Sequence, residues 1–79
     1  MLDQNKLRYV IAIVLNVDPC LIGPDASSDT IESWDSLRHM NLVLALEEEF
    51  GVIFSDEDAA NATSYPLLVV VLQELLGAV

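Results

Sequence analysis

Seventy-nine residues, 53% of them hydrophobic, make a chain short enough for one domain and too apolar for disorder. Thirteen acids against Lys6, Arg8 and Arg38 give a formal charge of −10, which argues against nucleic acid and anionic lipid as ligands, because both bind through basic side chains. Partners presenting basic patches suit such a surface.

The first element is predicted over Leu2 to Asn16, a helix with Asp3 at its dipole-favoured start and Leu7, Val10, Ile11 and Val14 as its buried stripe. Pro19 is read as its stop, since proline excludes the preceding residue from helical backbone. The apolar run Tyr9 to Leu15 follows Lys6 and Arg8 but lacks a small-residue cleavage site, and Asp3 lies in the would-be basic region. It is also too short to span a bilayer. These features, with Cys20 as the lone cysteine, predict a cytoplasmic chain with no internal disulfide, cysteine-based zinc site or membrane insertion.

Val17 to Trp34 form a long connection carrying Pro19, Gly23 and Pro24. A loop of that length in so small a domain has to be pinned or functional. Leu21, Ile22, Ile31 and Trp34 are its predicted anchors, and Asp29 to Ser33 can make a helical turn with Asp29 as cap. The second helix has the clearest limits. Asp35 caps it, Gly51 takes the left-handed position beyond its end, and Leu42, Leu46 and Phe50 recur every four residues as a core stripe.

Ser55 starts a short third helix through about Ala62 in a weak form of the capping box, with Asp58 in the glutamate position. Thr63 or Ser64 caps a fourth, with Pro66 tolerated in its first turn. Val69-Val70-Val71 has strand propensity, but Leu68, Leu72 and Leu75 are spaced for a helix and no second strand-like run exists to pair with it. The predicted fold is all-α: one domain over residues 1–79, a small antiparallel bundle of three main helices plus one short helix, with a long loop between the first and second.

Nine of the thirteen acids lie between Asp29 and Asp58, where Arg38 is the only base. That excess is either a solubilising surface or a docking face. Asp56-Glu57-Asp58 lacks the alternating spacing and glycine of a calcium loop, so the acids are read as helix-terminus charges with no metal site. Ser36 stands at the first helical position behind the Asp35 cap. As a hydrolase nucleophile it would need a base and an orienting group. His39 lies one turn on, but Trp34 and Arg38 occupy the glycine positions of a nucleophile elbow. As a modification site it needs only exposure, and negative charge placed there gains roughly 0.3–1 kcal/mol from the helix N-terminus. On these grounds alone, an ordinary first-turn serine is the simpler reading.

Asp35-Ser36-Leu37, followed by Ala45-Leu46-Glu47-Glu48-Glu49-Phe50-Gly51, resembles the second helix of the acyl carrier protein family. Length, acidity, long first loop and short third helix extend the resemblance over nearly the whole chain. It implies that Ser36 receives a 4′-phosphopantetheine arm from coenzyme A through a magnesium-dependent phosphopantetheinyl transferase, with Asp35 and Leu37 completing the attachment motif. It also implies a monomer with no catalysis of its own, carrying acyl groups as thioesters to enzymes of fatty-acid, polyketide or specialised lipid biosynthesis. Leu37 and Met40 would form an apolar edge beside the arm. Glu47 and Glu48 would meet basic patches on partners such as an acyl-carrier ligase or synthase, with Arg38 and Asn41 in the same face. The interior near Leu46, Phe54 and Ala59 could open to shelter an acyl chain. Arg38 and Asn41 stand where fatty-synthesis carriers usually have acids, and Trp34 replaces a small residue. These departures suggest a specialised pathway. A peptidyl or D-alanyl carrier, using the same arm, and an unmodified acidic helical adaptor are the alternatives.

Overall fold

Each helix begins on a side-chain cap that the sequence supplies. In the computed structural model, which describes residues 2–77, the helices are α1 (Gln4–Leu15), α2 (Ser36–Phe50), α3 (Asp56–Asn61) and α4 (Tyr65–Leu75). Asp3 accepts from the N–H groups of Asn5 and Lys6, Asp35 from Arg38, Ser55 from Asp58 and Ser64 from Leu67. Every one of these satisfies a first-turn donor that has no intrahelical partner. Among the described residues there is no strand, and Val69 to Val71 lie within α4. Ser64 fixes the start of α4, while Leu68 and Leu72 on its inner face are fully buried. Burial of that helical stripe prevails over the β-propensity of the three valines.

The end of α1 falls at Asn16, as the sequence places it, but Pro19 is not what sets it. Asn16 adopts left-handed backbone, φ 57° and ψ 48°, and its N–H returns to the carbonyls of Ala12 and Ile13. The helix therefore stops three residues before Pro19, on a residue type whose short polar side chain tolerates that conformation. The buried face of α1 runs Leu7, Ile11, Leu15 with Ala12 beside it, whereas Val10 and Val14 are only half-buried. Gly51 ends α2 at φ 65°, as its position predicted.

The long loop is tied at both ends of its course. A 3₁₀ turn spans Pro19–Leu21, capped by Asp18. Ser27 forms an isolated antiparallel bridge with Ser64; the Ser28 N–H donates to Thr63 at 3.0 Å and the Tyr65 N–H to Ala26 at 2.8 Å. Ile22, Ala26, Ile31 and Trp34 are buried. Leu21 is not an anchor: it is 62% exposed, on the outside of the 3₁₀ turn. Residues 29–33 make turns and no continuous helix, the Trp34 N–H donating to the Ile31 carbonyl at 3.0 Å. The N–H groups of Thr30 and Ile31 both donate to the Ser27 carbonyl, and Asp29 donates its N–H to the Ser27 hydroxyl, so Ser27 has the capping task assigned to Asp29.

One apolar cluster draws on all four helices and the loop, with α1 packed on α2. Two cations close the helix ends. Arg38 donates to the Leu15 carbonyl at 3.1 Å, at the C-terminus of α1. Lys6 donates to the Glu49 carbonyl at 3.0 Å near the C-terminus of α2 and lies 5.1 Å from the centroid of the Phe50 ring. Both positions place positive charge where the helix dipole is negative.

Candidate functional site

The site is set by Trp34, whose burial fixes where α2 can begin. Its side chain is 3% exposed and belongs to the core cluster. Asp35 follows in extended backbone and spends its carboxylate on the Arg38 N–H at 2.8 Å. Capping thus falls to Asp35, which leaves Ser36, the exposed first residue of α2, without that task. Leu37 beside it is 71% exposed, Met40 61% and Leu44 60%. These three lie at helical spacing and form an apolar ridge leading away from Ser36, bordered by exposed Asn41 and Glu48. Leu44 was missed from the sequence, although its spacing from Leu37 and Met40 was readable.

A crevice of about 460 Å³ adjoins Ser36, lined by Trp34, His39, Met40, Ala60 and Thr63 among others. A larger hollow of about 590 Å³, with Cys20, Leu21, Pro24 and Thr30 in its wall, lies under the long loop and includes no residue of α2. At its edge the Asp18 carboxylate accepts the Cys20 N–H at 2.9 Å. That backbone hydrogen bond holds the Asp18 carboxyl below the usual carboxylate range. Reciprocally, hydrogen bonding to Asp18 and its negative charge push the Cys20 thiol up, which makes it a poor nucleophile at neutral pH.

His39 is committed on both ring nitrogens. Nδ1 accepts the indole N–H of Trp34 at 3.1 Å, and Nε2 lies 2.5 Å from the Ala59 carbonyl on α3. An acceptor at Nδ1 and a donor at Nε2 describe one neutral tautomer, and it has no nitrogen left to take a proton from Ser36. The hydrolase arrangement therefore lacks its base in this geometry. No group of three or more His, Cys, Asp or Glu side chains converges as metal ligands among the described residues. No described helix is long and apolar enough to cross a membrane.

Two side chains read from the sequence as docking residues have internal partners. Arg38 is half-buried against Leu15, and half-buried Glu47 accepts the Phe54 N–H at 2.8 Å, fixing the turn after α2. Neither partner was visible in sequence, because each is a backbone group on another segment. Leu46 of α2 is fully buried and Phe54, in the connection to α3, is 6% exposed; half-buried Ala59 of α3 packs against the same core.

No protein-family model matches the chain. Curated proteins do. One from Thermosynechococcus vestitus, named acyl carrier protein, is 44% identical over 54 residues, which cover 68% of this chain and 67% of the relative. Another of the same name, from Solidesulfovibrio magneticus, is 44% identical over 54 residues, 68% of this chain and 69% of the relative.

Proposed function

The chain belongs to the acyl carrier protein family and functions as an acyl carrier, and from that premise we propose that Ser36 is the attachment point of its 4′-phosphopantetheine arm. The observation that carries this reading is the division of labour at the start of α2. Asp35 does the capping, while Ser36 stands exposed at a helix N-terminus, where the negative charge of a phosphodiester is favoured. The residues present fit the group. Ser36 would hold it through its hydroxyl oxygen, with Asp35 and Leu37 flanking the bond, and the arm supplies a terminal thiol that forms thioesters.

On this reading residues 1–79 act as one carrier domain with no catalysis of its own, in the cytoplasm. The phosphopantetheinyl transferase and the acyl-loading enzymes approach the same face. Leu37, Met40, Asn41 and Glu48 present that face; Arg38 and Glu47 hold it in place through their contacts with Leu15 and Phe54. Charge complementarity between the acidic carrier and basic partner patches gives fast, reversible encounters.

Incubation with coenzyme A, magnesium and a broad-specificity phosphopantetheinyl transferase, followed by intact mass measurement, tests the attachment. The wild type gains one phosphopantetheine and Ser36→Ala gains none. An unchanged wild type alongside a modified control carrier, or equal modification of Ser36→Ala, overturns the proposal.

A further inference from the structure

Trp34 and His39 stand between Ser36 and the helical interior, and both are tied. From its place on α2, His39 reaches the Ala59 carbonyl on α3 with Nε2 and takes the Trp34 indole N–H with Nδ1. The two rings also stack, with centroids 6.2 Å apart and planes inclined by 26°. Loop, α2 and α3 are thereby joined at one point, and both rings form part of the wall of the crevice beside Ser36. Behind that wall Leu42, Leu46 and Leu68 have no exposure at all.

An apolar chain entering the interior from Ser36 has to part α3 from α2. Parting them breaks the His39–Ala59 contact and leaves an imidazole and a carbonyl unpaired in a partly buried place, which is costlier than a hydrogen bond exchanged with water. The same movement disturbs the Trp34 indole N–H, whose only described acceptor is His39. Both costs fall on the interior route alone, whereas cargo resting in the crevice or in solvent incurs neither.

We propose that Trp34 and His39 bar the passage between α2 and α3, so that this carrier keeps its thioester cargo outside the helical interior and is suited to short or polar acyl groups. The inference rests on attachment at Ser36. It assigns to these two side chains a part in cargo choice that neither the family nor the ridge on α2 supplies.

The test reads thioester exposure. Wild type, His39→Ala, His39→Gln and Trp34→Phe are loaded from acetyl- or decanoyl-coenzyme A by the broad-specificity transferase, and loading is confirmed by intact mass. Hydroxylamine then attacks the acyl carbon, releasing the arm's thiol and leaving an acyl hydroxamate. Each rate is divided by that of the same acyl group on free pantetheine. In the wild type the acetyl cargo reacts as fast as on free pantetheine and the decanoyl cargo within about twofold of it. In His39→Ala the decanoyl thioester becomes about fivefold protected, because removal of about 1 kcal/mol raises the ratio of sheltered to exposed chain about fivefold, from below one to about four, and the acetyl thioester does not change. Trp34→Phe, which keeps a ring but loses the N–H, falls between them. His39→Gln, with both a donor and an acceptor, returns toward wild type. A merely loosened fold does not make protection depend on cargo length. A wild type that protects decanoyl as well as His39→Ala does overturns the proposal, and so does an alanine variant that protects neither cargo. A wild type that gains no mass on loading overturns the attachment at Ser36, and this inference with it.

Discussion

Replacing Arg38 by alanine should destabilise the fold although the residue lies beside the proposed docking face. Its guanidinium donates to the Leu15 carbonyl at 3.1 Å in a partly buried setting. A hydrogen bond involving a charged group contributes about 1.5–3 kcal/mol, and a cation at a helix C-terminus about 0.3–1 kcal/mol. The two overlap here, and water replaces part of the lost bond, so the expected cost is about 1.5 kcal/mol. For a chain of 79 residues that lowers Tm by about 6–12 °C. Thermal and urea unfolding followed by far-ultraviolet circular dichroism measure it. Arg8→Ala is the control, because it removes the same charge from an exposed side chain bonded, among the described residues, only to Asn5; it should cost less than about 0.5 kcal/mol. Added salt separates the effects further, since it screens the self-repulsion of a chain at −10 but weakens a partly buried contact much less. If Arg38→Ala and Arg8→Ala melt together, or salt erases the difference between them, Arg38 is a surface charge and the reasoning fails.

Gly51→Ala should cost about 1–2 kcal/mol, because φ is 65° there and a Cβ meets no neighbour that would add a clash; equilibrium urea unfolding checks the figure, and an unchanged midpoint refutes it. Cys20 should alkylate more slowly in the folded protein than in denaturant at mildly alkaline pH, and Asp18→Asn should accelerate the folded reaction by removing the charge that holds the thiol protonated. Equal folded and unfolded rates, timed by mass spectrometry, would contradict that. The Asp18 carboxyl is held below its ordinary value in the fold, so its contribution is present above the usual carboxylate range and lost as pH falls through the folded value. Asp18→Asn should therefore flatten the acid limb of a Tm-against-pH curve; an identical limb in the variant speaks against it.

The elements that sequence reading placed correctly are those decided by neighbouring residues. Asp35 and Gly51 delimit α2, and Ser55 and Ser64 open α3 and α4, because a cap is a contact between residues two or three apart. Pro19 drew attention from Asn16 because the end of α1 depends on a left-handed backbone that asparagine tolerates without announcing it. Leu21 has the hydropathy of an anchor, yet the 3₁₀ turn at Pro19–Leu21 leaves it outside. Arg38 and Glu47 were read as surface charges because their partners, the Leu15 carbonyl and the Phe54 N–H, are backbone groups that no side-chain pattern marks. His39 was weighed against Ser36, one turn away, when its partners were Trp34 and a carbonyl twenty residues on.

Trp34 is the only tryptophan in the chain, and it sits two positions before Ser36 with 3% of its surface exposed. The protein therefore contains a single indole fluorophore, which can be excited at wavelengths that Tyr9 and Tyr65 do not absorb, at the point where its chemistry is proposed to occur. Its emission originates from one environment, and the indole N–H that shapes the excited state is the one given to His39. Displacement of α3 from α2 brings water to that ring and moves the emission to longer wavelength. Events beside Ser36 can thus be timed optically on the unlabelled wild-type chain.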